Sequence, residues 1–304
     1  MSAFKTVPLS LDWFTNNMDE YLKRDEFIQF QEVVGFDYRD IIDKSERGNI
    51  AKKMCEHSSL FYEIGRNKGG AFFPEKVYRE DANFYNSAPK QIPEADMIFM
   101  YRPMCYSLRL RYKTLNRVII PYILDTKLKN REGIVLGNLG SGLGKDLEYA
   151  SLHYDGKIQK IINIDIDPDV VKIGNQNIPE KIKDKVKYYN TNLMKGNPKK
   201  LPYDFVLMIG IICPLTDEST ERLLQLVYKQ MAPNGIIAVS TSSHKMEKHD
   251  PFCSIGIQVC AEWSLNCRNE DKLYTTLKNS GFTEIEIQQE PSGYNLIGIG
   301  TKKL

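Results

Sequence analysis

The chain has 304 residues, of which 42% are hydrophobic and 26% charged, a balance typical of a globular protein rather than a disordered one. Its 41 basic and 39 acidic side chains leave a net charge of +2, which weighs against a general nucleic-acid binder and leaves a local basic patch open. The six cysteines form no CxxC pair and are too sparse for a disulfide scaffold. No signal-peptide pattern is seen, and no stretch approaches the ~20 apolar residues that cross a bilayer. We therefore expect a cytoplasmic protein without a membrane partner.

The first 130 residues are predicted to be mainly helical. Apolar residues recur at approximately helical spacing over residues 11–33 and again over residues 37–64. Glycines and prolines interrupt any regular element over residues 65–100, a stretch rich in aromatic side chains. Residues 104–129 predict another helix, in which Pro121 should cause a kink or a break. We interpret the first 130 residues as a helical cap or lid, or as the arm of a homodimer.

From residue 131 the pattern changes to alternating strands and helices. Repeated β-α units with short connections predict a parallel, doubly wound sheet. The last two apolar runs, joined by P-S-G, predict an antiparallel C-terminal hairpin. We therefore predict a seven-stranded, mostly parallel α/β domain over residues 131–304 and a separate helical region over residues 1–130. Strands are predicted over residues 133–139, 160–166, 186–190, 203–212, 234–242, 282–290 and 294–303, and helices over residues 145–153, from Pro168, and over residues 217–232 and 269–279.

A glycine-rich loop follows the first of these strands. Its sequence, N-L-G-S-G-L-G over residues 138–144, permits a tight turn and lets a ligand contact the main chain. A dinucleotide fingerprint is G-x-G-x-x-G with a phosphate at the helix N-terminus. Here the spacing is G-x-G-x-G, and Asp146 near the next helix would repel a phosphate. The loop favours a ligand without a phosphate at this point; the alternative is a tight turn that binds nothing.

Polar residues follow the second and third predicted strands. Asp165 ends the second strand, where a carboxylate is placed to accept hydrogen bonds from a ribose diol. Residues 192–193 follow the third strand, where the edge of an adenine would lie. Further on, residues 231–235 form a turn between a helix and the fifth strand.

The order of these features resembles the class I S-adenosylmethionine-dependent methyltransferases. That family shows a strand followed by E/D-x-G-x-G-x-G, an acid ending the second strand, an Asp after the third and a late L-x-P-G-G turn. The corresponding positions are residues 138–144, Asp165, residues 192–193 and residues 232–235. The resemblance covers about residues 131–304 and implies a Rossmann-like fold.

The resemblance also implies S-adenosylmethionine as the cofactor. Asn138 replaces the acid that helps to hold the methionine ammonium group, and its amide oxygen can still accept that hydrogen bond. Asn192 replaces the Asp that contacts adenine, and the N–H of Leu193 could serve the ring as well. By resemblance, the cofactor-binding residues are Asn138, Gly140, Ser141, Gly142, Gly144, Asp165, Ile166, Asn192, Leu193 and Gly210.

Methyl transfer from a sulfonium is an in-line displacement, which needs alignment and exclusion of water more than a catalytic triad. His244, after the fifth strand, is the best candidate base by position, and a solvated loop histidine is the alternative. No metal site is predicted, because only His244 and His249 have zinc-like spacing while the nearby cysteines lie seven residues apart. Cys213 is interpreted as a packing residue more than a nucleophile. The candidate substrate residues are Tyr101, Arg102, Tyr106, Arg109 and Cys213.

We therefore expect an enzyme that methylates an oxygen or nitrogen atom of a small molecule. Three alternatives stay open: an RNA or protein methyltransferase, a nicotianamine-synthase-like or aminopropyltransferase-like enzyme that uses an adenosyl cofactor without methylating, and a non-catalytic cofactor-sensing protein. The basic side chains of residues 104–129 are interpreted as a solvated face, with a local anion or RNA contact as the alternative.

Overall fold

The computed structural model describes residues 23–66, 70–78, 94–154, 156–195, 198–262 and 264–303. The chain divides into two compact units. The sheet unit contains Leu110–His244 and Asn266–Leu304, and the helical unit contains Thr6–Arg109 and Lys245–Leu265. The domain boundary predicted at residue 130 stays a prediction; the compact units themselves divide after Arg109, and a segment following the fifth strand belongs to the helical unit.

The sheet unit is built on one seven-stranded sheet in the order β3-β2-β1-β4-β5-β7-β6. The first five strands are parallel, β7 pairs antiparallel with β5, and β6 pairs antiparallel with β7. This arrangement confirms the predicted α/β fold class and the C-terminal hairpin. The strands are β1 (Ile134–Leu139), β2 (Ile158–Asp165), β3 (Val186–Asn190), β4 (Tyr203–Met208), β5 (Met231–Ser242), β6 (Thr283–Gln289) and β7 (Asn295–Thr301).

Alternation of side chains along the strands gives this sheet two separate hydrophobic cores. On β1, Leu136 packs on one face with apolar residues of the helical segment 115–128, while Val135 packs on the other. That second face is covered by two helices, Asp217–Gln230 and Glu270–Asn279. Burial on both faces explains why the central strands are continuous apolar runs in the sequence.

The helices of the sheet unit begin at residues suited to that position. Asp167 accepts hydrogen bonds from the N–H groups of Asp169 and Val170, and Pro168 occupies the first helical position as predicted. Thr216 caps the next long helix by accepting a bond from the Ser219 N–H. We number the helices of this unit within the whole chain: α7 (Glu148–His153), α8 (Pro168–Gln176), α9 (Asp217–Gln230) and α12 (Glu270–Asn279).

The helical unit packs short helices around a cluster of aromatic rings. Phe61 lies with its ring centroid 5.5 Å from that of Phe30 and 4.5 Å from that of Phe99, and all three are fully buried. The predicted helical character is confirmed for the described residues. The helices are α1 (Asp25–Val34), α2 (Arg47–His57), α3 (Ser59–Arg66), α4 (Phe72–Tyr78), α5 (Glu94–Met100), α6 (Pro103–Thr114), α10 (His244–His249) and α11 (Pro251–Ala261), of which α6 and α10 include residues of both units.

Two local expectations from the sequence need correction. The helix does not break at Pro121, because π-helical turns at Leu115–Ile119 and Ile123–Lys127 flank it and change the hydrogen-bonding register, while the alternative of a kink stays a prediction. The basic segment is not simply a solvated face either: Arg109 and Arg111 are each only 5% exposed. Within the described residues, no helix combines the length and the apolar composition that a membrane crossing requires.

Candidate functional site

The predicted cofactor residues lie at the carboxyl ends of neighbouring parallel strands. Strand order reverses between β1 and β4, which is the topological switch point where α/β sheets bind ligands. The glycine-rich loop leaves β1 directly, Asp165 is the last residue of β2, and Gly210 follows β4 by two residues. The fold therefore brings three of the predicted elements to one edge of the sheet.

The glycine loop has a backbone that only glycine adopts easily. Gly140, Gly142 and Gly144 have φ values of +68°, +51° and +77°, in the left-handed region. At Gly140 there is also no room for a side chain, since a Cβ would lie 2.0 Å from Cδ1 of Ile211. At Gly144 a Cβ would lie 2.1 Å from the Tyr188 hydroxyl, which donates to the Leu143 carbonyl oxygen over 2.9 Å.

Most of the loop's amides are engaged inside the protein. The N–H groups of Gly140 and Ser141 donate to the Ile164 carbonyl oxygen, over 2.8 and 3.0 Å. The Gly144 N–H donates to the Ser141 carbonyl oxygen over 3.0 Å. These bonds fix the path of the loop against the end of β2, so a ligand meets a preformed surface rather than a mobile segment.

Asp165 links the glycine loop to the start of α8. One carboxylate oxygen accepts a bond from the Gly142 N–H over 2.9 Å, and the other accepts from the Asp167 N–H over 3.0 Å. Burial raises the pKa of Asp165, and the two amides act against that rise. Because each carboxylate oxygen has a second lone pair, Asp165 retains acceptor capacity for two hydroxyl groups of a ligand.

Asn138 is buried, and its amide nitrogen donates to the Asn163 amide oxygen over 2.9 Å. This bond orients the Asn138 side chain across β1 and β2, and it leaves the Asn138 amide oxygen as the acceptor that the resemblance requires. Asn163 is equally buried and was not identified from the sequence, where it appears as one polar residue within an apolar strand.

The remaining predicted cofactor residues differ in exposure. Ile166, next to Asp165, exposes 68% of its surface, which is unusual for an isoleucine and fits contact with a flat apolar ligand. Asn192 and Leu193 are half-buried where the chain leaves β3, with Leu193 starting a short 3-10 turn. Gly210 is exposed, has φ +75°, and donates its N–H to the Ser240 hydroxyl over 3.0 Å. Their role in binding stays a prediction.

His244 and Cys213 lie at the ends of the neighbouring strands β5 and β4. His244 is exposed and is the first residue of α10, so the segment interpreted as a loop is helical. Cys213 is buried, and its sulfur lies 3.8 Å from the Ser242 hydroxyl. The buried position agrees with a packing role for Cys213, while the base role of His244 stays a prediction. Among the residues that the structure describes, no three His, Cys, Asp or Glu side chains group as metal ligands would.

The other four substrate candidates lie in the helical unit. Arg102 forms an ion pair with the fully buried Asp250 at 3.2 Å. Arg109 donates to the Met100 carbonyl oxygen over 3.1 Å and lies 5.8 Å from the centroid of the Tyr106 ring. Tyr101 and Tyr106 are exposed. Both arginines therefore stabilise the helical unit, and a substrate role for the four residues stays a prediction.

Sequence reasoning did not identify Arg268, which shapes the loop after β4. The side chain is 1% exposed and donates to the carbonyl oxygens of Ile212 and Leu215 over 3.2 and 3.1 Å. Its Nε also forms an ion pair with Asp217 at 3.1 Å. The planar guanidinium can make these bonds at once because its five donors point in fixed directions. Ile211, which packs on Gly140, belongs to the loop that Arg268 holds.

Sequence reasoning also did not identify Arg111 as a residue of the candidate site. Its terminal nitrogens lie 3.8 and 4.0 Å from the position that a Cβ would take on Gly210. One of them donates to the Asn295 amide oxygen over 3.4 Å. A buried positive charge therefore lies beside the carboxyl end of β4. In the sequence, Arg111 is one of several basic residues on a helix, and nothing distinguishes it from the exposed ones.

Comparison with known proteins establishes the fold. No protein-family model and no curated protein matches the chain. A solved structure described as a possible exported protein from Bordetella parapertussis matches 93% of this chain and 99% of its own, with 14% identity and a TM-score of 0.68. The S-adenosylmethionine-dependent methyltransferase SibL matches 76% of this chain and 70% of its own, with 14% identity and a TM-score of 0.52.

Magnesium protoporphyrin IX methyltransferase from Synechocystis, solved with bound SAH, matches 76% of this chain and 99% of its own, with 14% identity and a TM-score of 0.50. At these identities the likeness shows that the chain has the fold found in S-adenosylmethionine-dependent methyltransferases. The activities belong to the matched proteins.

Proposed function

We propose that the protein is an S-adenosylmethionine-dependent methyltransferase that transfers a methyl group to an oxygen or nitrogen atom of a small molecule. The observation that carries the proposal is Asp165, whose half-buried carboxylate joins the glycine loop to the end of β2 at the switch point of the sheet. The fold shared with methyltransferases supports it. A cytoplasmic location remains our expectation.

The residues at this edge fit the proposed cofactor. The second lone pairs of the Asp165 carboxylate would accept the ribose hydroxyls, and the exposed Ile166 would contact the adenine ring. The Asn138 amide oxygen would accept from the methionine ammonium group, beside the left-handed main chain at Gly140. When bound, S-adenosylmethionine supplies a methyl group on a positively charged sulfur, which is already a good leaving group.

The protein's part in the reaction is then alignment. The preformed glycine loop and the fixed loop after β4 would hold the methyl donor at the carboxyl ends of the strands, and the remaining task of the protein would be to orient the acceptor atom and exclude water. A base is required only for a protonated acceptor, and His244 at the end of β5 is our proposal for that role.

The test uses the full chain. Titration calorimetry with S-adenosylmethionine and S-adenosylhomocysteine should show binding, and Asp165→Ala should weaken it. Incubation with methyl-labelled cofactor and pools of small hydroxy and amino compounds should then yield S-adenosylhomocysteine and a labelled product. A wild-type protein that binds neither ligand would contradict the proposal.

One alternative is favoured by a specific observation. Asn138 replaces a carboxylate, and its amide already pairs with Asn163 inside the sheet, so the methionine end of the cofactor meets a neutral group. This is compatible with an enzyme that transfers the aminocarboxypropyl or aminopropyl group instead. Product analysis separates the two, because release of methylthioadenosine rather than S-adenosylhomocysteine would identify the alternative.

A further inference from the structure

Two cysteines of the helical unit lie close together although 204 residues separate them in the sequence. Cys55 is on α2 and Cys260 is on α11, and each thiol shifts the pKa of the other. The Cys55 thiol also donates to the Phe61 carbonyl oxygen over 3.4 Å. Gly65 of α3 permits this approach, since a Cβ there would lie 3.0 Å from the Cys55 sulfur and 3.7 Å from the Cys260 carbonyl oxygen.

The two cysteines belong to two different segments of the chain that together form the helical unit. The helical unit is assembled from two separate segments, and Cys260 belongs to the short segment Lys245–Leu265 that follows the fifth strand of the sheet. Cys55 belongs to the long segment. A covalent bond between them would fasten the returning segment to the rest of the unit.

We propose that Cys55 and Cys260 are a site of reversible oxidation, at which a low-molecular-weight disulfide converts the two thiols into a disulfide that staples α11 to α2. The inference is independent of the proposed function, because neither residue belongs to the cofactor site.

The environments of the two sulfurs assign them different parts in the exchange. The Cys260 thiol lowers the pKa of Cys55, which burial and the neighbouring Glu56 oppose, whereas the Cys55 thiol and burial raise the pKa of Cys260. Cys55 is half-buried and Cys260 is buried. The thiolate is the attacking species in thiol–disulfide exchange, so Cys55 is the attacking sulfur and Cys260 the resolving one.

The reaction then proceeds in two balanced steps. The Cys55 thiolate attacks one sulfur of a disulfide such as oxidised glutathione, forming a mixed disulfide and releasing one thiol. Cys260 loses its proton and attacks the Cys55 sulfur, which forms the protein disulfide and releases the second thiol. Two protein thiols are oxidised and one small disulfide is reduced.

The experiment treats the full chain with oxidised glutathione, blocks free thiols under denaturing conditions, and maps disulfide-linked peptides by mass spectrometry without reduction. We expect one link, between the peptides that contain Cys55 and Cys260, and its loss on addition of dithiothreitol. Oxidised protein should also melt at a higher temperature than reduced protein, because the link closes a very long loop.

Matched variants separate this result from general oxidation. Cys105→Ser, at a buried cysteine of α6 in the same unit, should retain the link, while Cys55→Ser should lose both the link and the rise in melting temperature. Because the peptide map is made on the wild-type protein, its result does not depend on whether any variant folds. Glutathione left on Cys55 with Cys260 still reduced, or a link from Cys55 to another cysteine such as Cys253, would overturn the proposal.

Discussion

Gly140→Ala tests whether the glycine loop is shaped by packing inside the protein. A Cβ at this position would lie 2.0 Å from Cδ1 and 2.6 Å from Cγ1 of Ile211, but 3.9 Å from its Cβ. The residue also has φ +68°, where a side chain costs about 1–2 kcal/mol. Overpacking against Ile211 adds about 1–3 kcal/mol. We therefore expect Gly140→Ala to lower the free energy of unfolding by roughly 2–5 kcal/mol.

The cost of the clash with Ile211 and the cost of the backbone strain can be measured separately in an Ile211→Ala background. In Ile211→Ala the atoms that clash are gone and the remaining Cβ is at ordinary contact distance, so adding Gly140→Ala should cost only the backbone strain, about 1–2 kcal/mol. Gly156→Ala is the matched control, because a Cβ there has no neighbour within 4 Å and the backbone is not left-handed. It should change stability by less than about 0.5 kcal/mol.

Urea unfolding of the four variants and the wild type measures these differences. Calorimetric titration with S-adenosylhomocysteine then shows whether Gly140→Ala also weakens ligand binding, as a distorted loop should. An equal cost of Gly140→Ala with isoleucine or alanine at position 211 would refute the packing explanation. If Gly140→Ala cost as little as Gly156→Ala, the explanation by the left-handed backbone of Gly140 would be refuted as well.

Three further changes test other parts of the structure. Asp165→Ala should weaken S-adenosylhomocysteine binding by roughly tenfold or more, at about 1.5–3 kcal/mol for each hydrogen bond to a charged group. Because the pKa of Asp165 is raised, wild-type affinity should fall on acidification at a higher pH than for an ordinary aspartate, and titrations across pH should show this loss only with Asp165 present. Arg268→Lys should cost roughly 3 kcal/mol in urea unfolding, whereas the exposed control Arg222→Lys should cost almost nothing. Asp96→Ala should destabilise the helical unit by several kcal/mol, since the carboxylate accepts bonds from Ser58, Ser59 and Leu60 and each stranded donor costs about 1–3 kcal/mol; circular dichroism during unfolding measures it.

The sequence predicts those features whose cause is local. Apolar runs of strand length predict the sheet, and Pro168 after Asp167 predicts the start of α8, because the physical reasons lie within a few residues. Asp165 could be found in the same way, since a carboxylate that ends a buried strand is conspicuous. These signals depend on spacing and residue type alone.

What the sequence does not reveal depends on distant partners. Arg268 is a lone basic residue before a helix, and only the folded chain shows that it bonds to the loop after β4. Arg111 likewise resembles its exposed neighbours until the structure places it beside Gly210. The sequence analysis treats His244 as a loop residue and assigns no helix to the segment Lys245–Leu265, whose helices pack within the unit formed mainly by residues far earlier in the chain. Tertiary contacts, and not local propensity, decide such positions.

The functional signal at the sheet edge lies in Asp165 more than in the glycines. Gly140 and Gly144 are required because Ile211 and Tyr188 fill the space where their side chains would be, and a turn that binds nothing would need them equally. A carboxylate is different, because its two oxygens accept the Gly142 and Asp167 N–H groups with one lone pair each and leave a second lone pair on each oxygen. Burial disfavours the charged form of Asp165, and the two amides favour it. The hydroxyl groups of a ligand would bond to the lone pairs that the two amides leave, which the turn itself does not use.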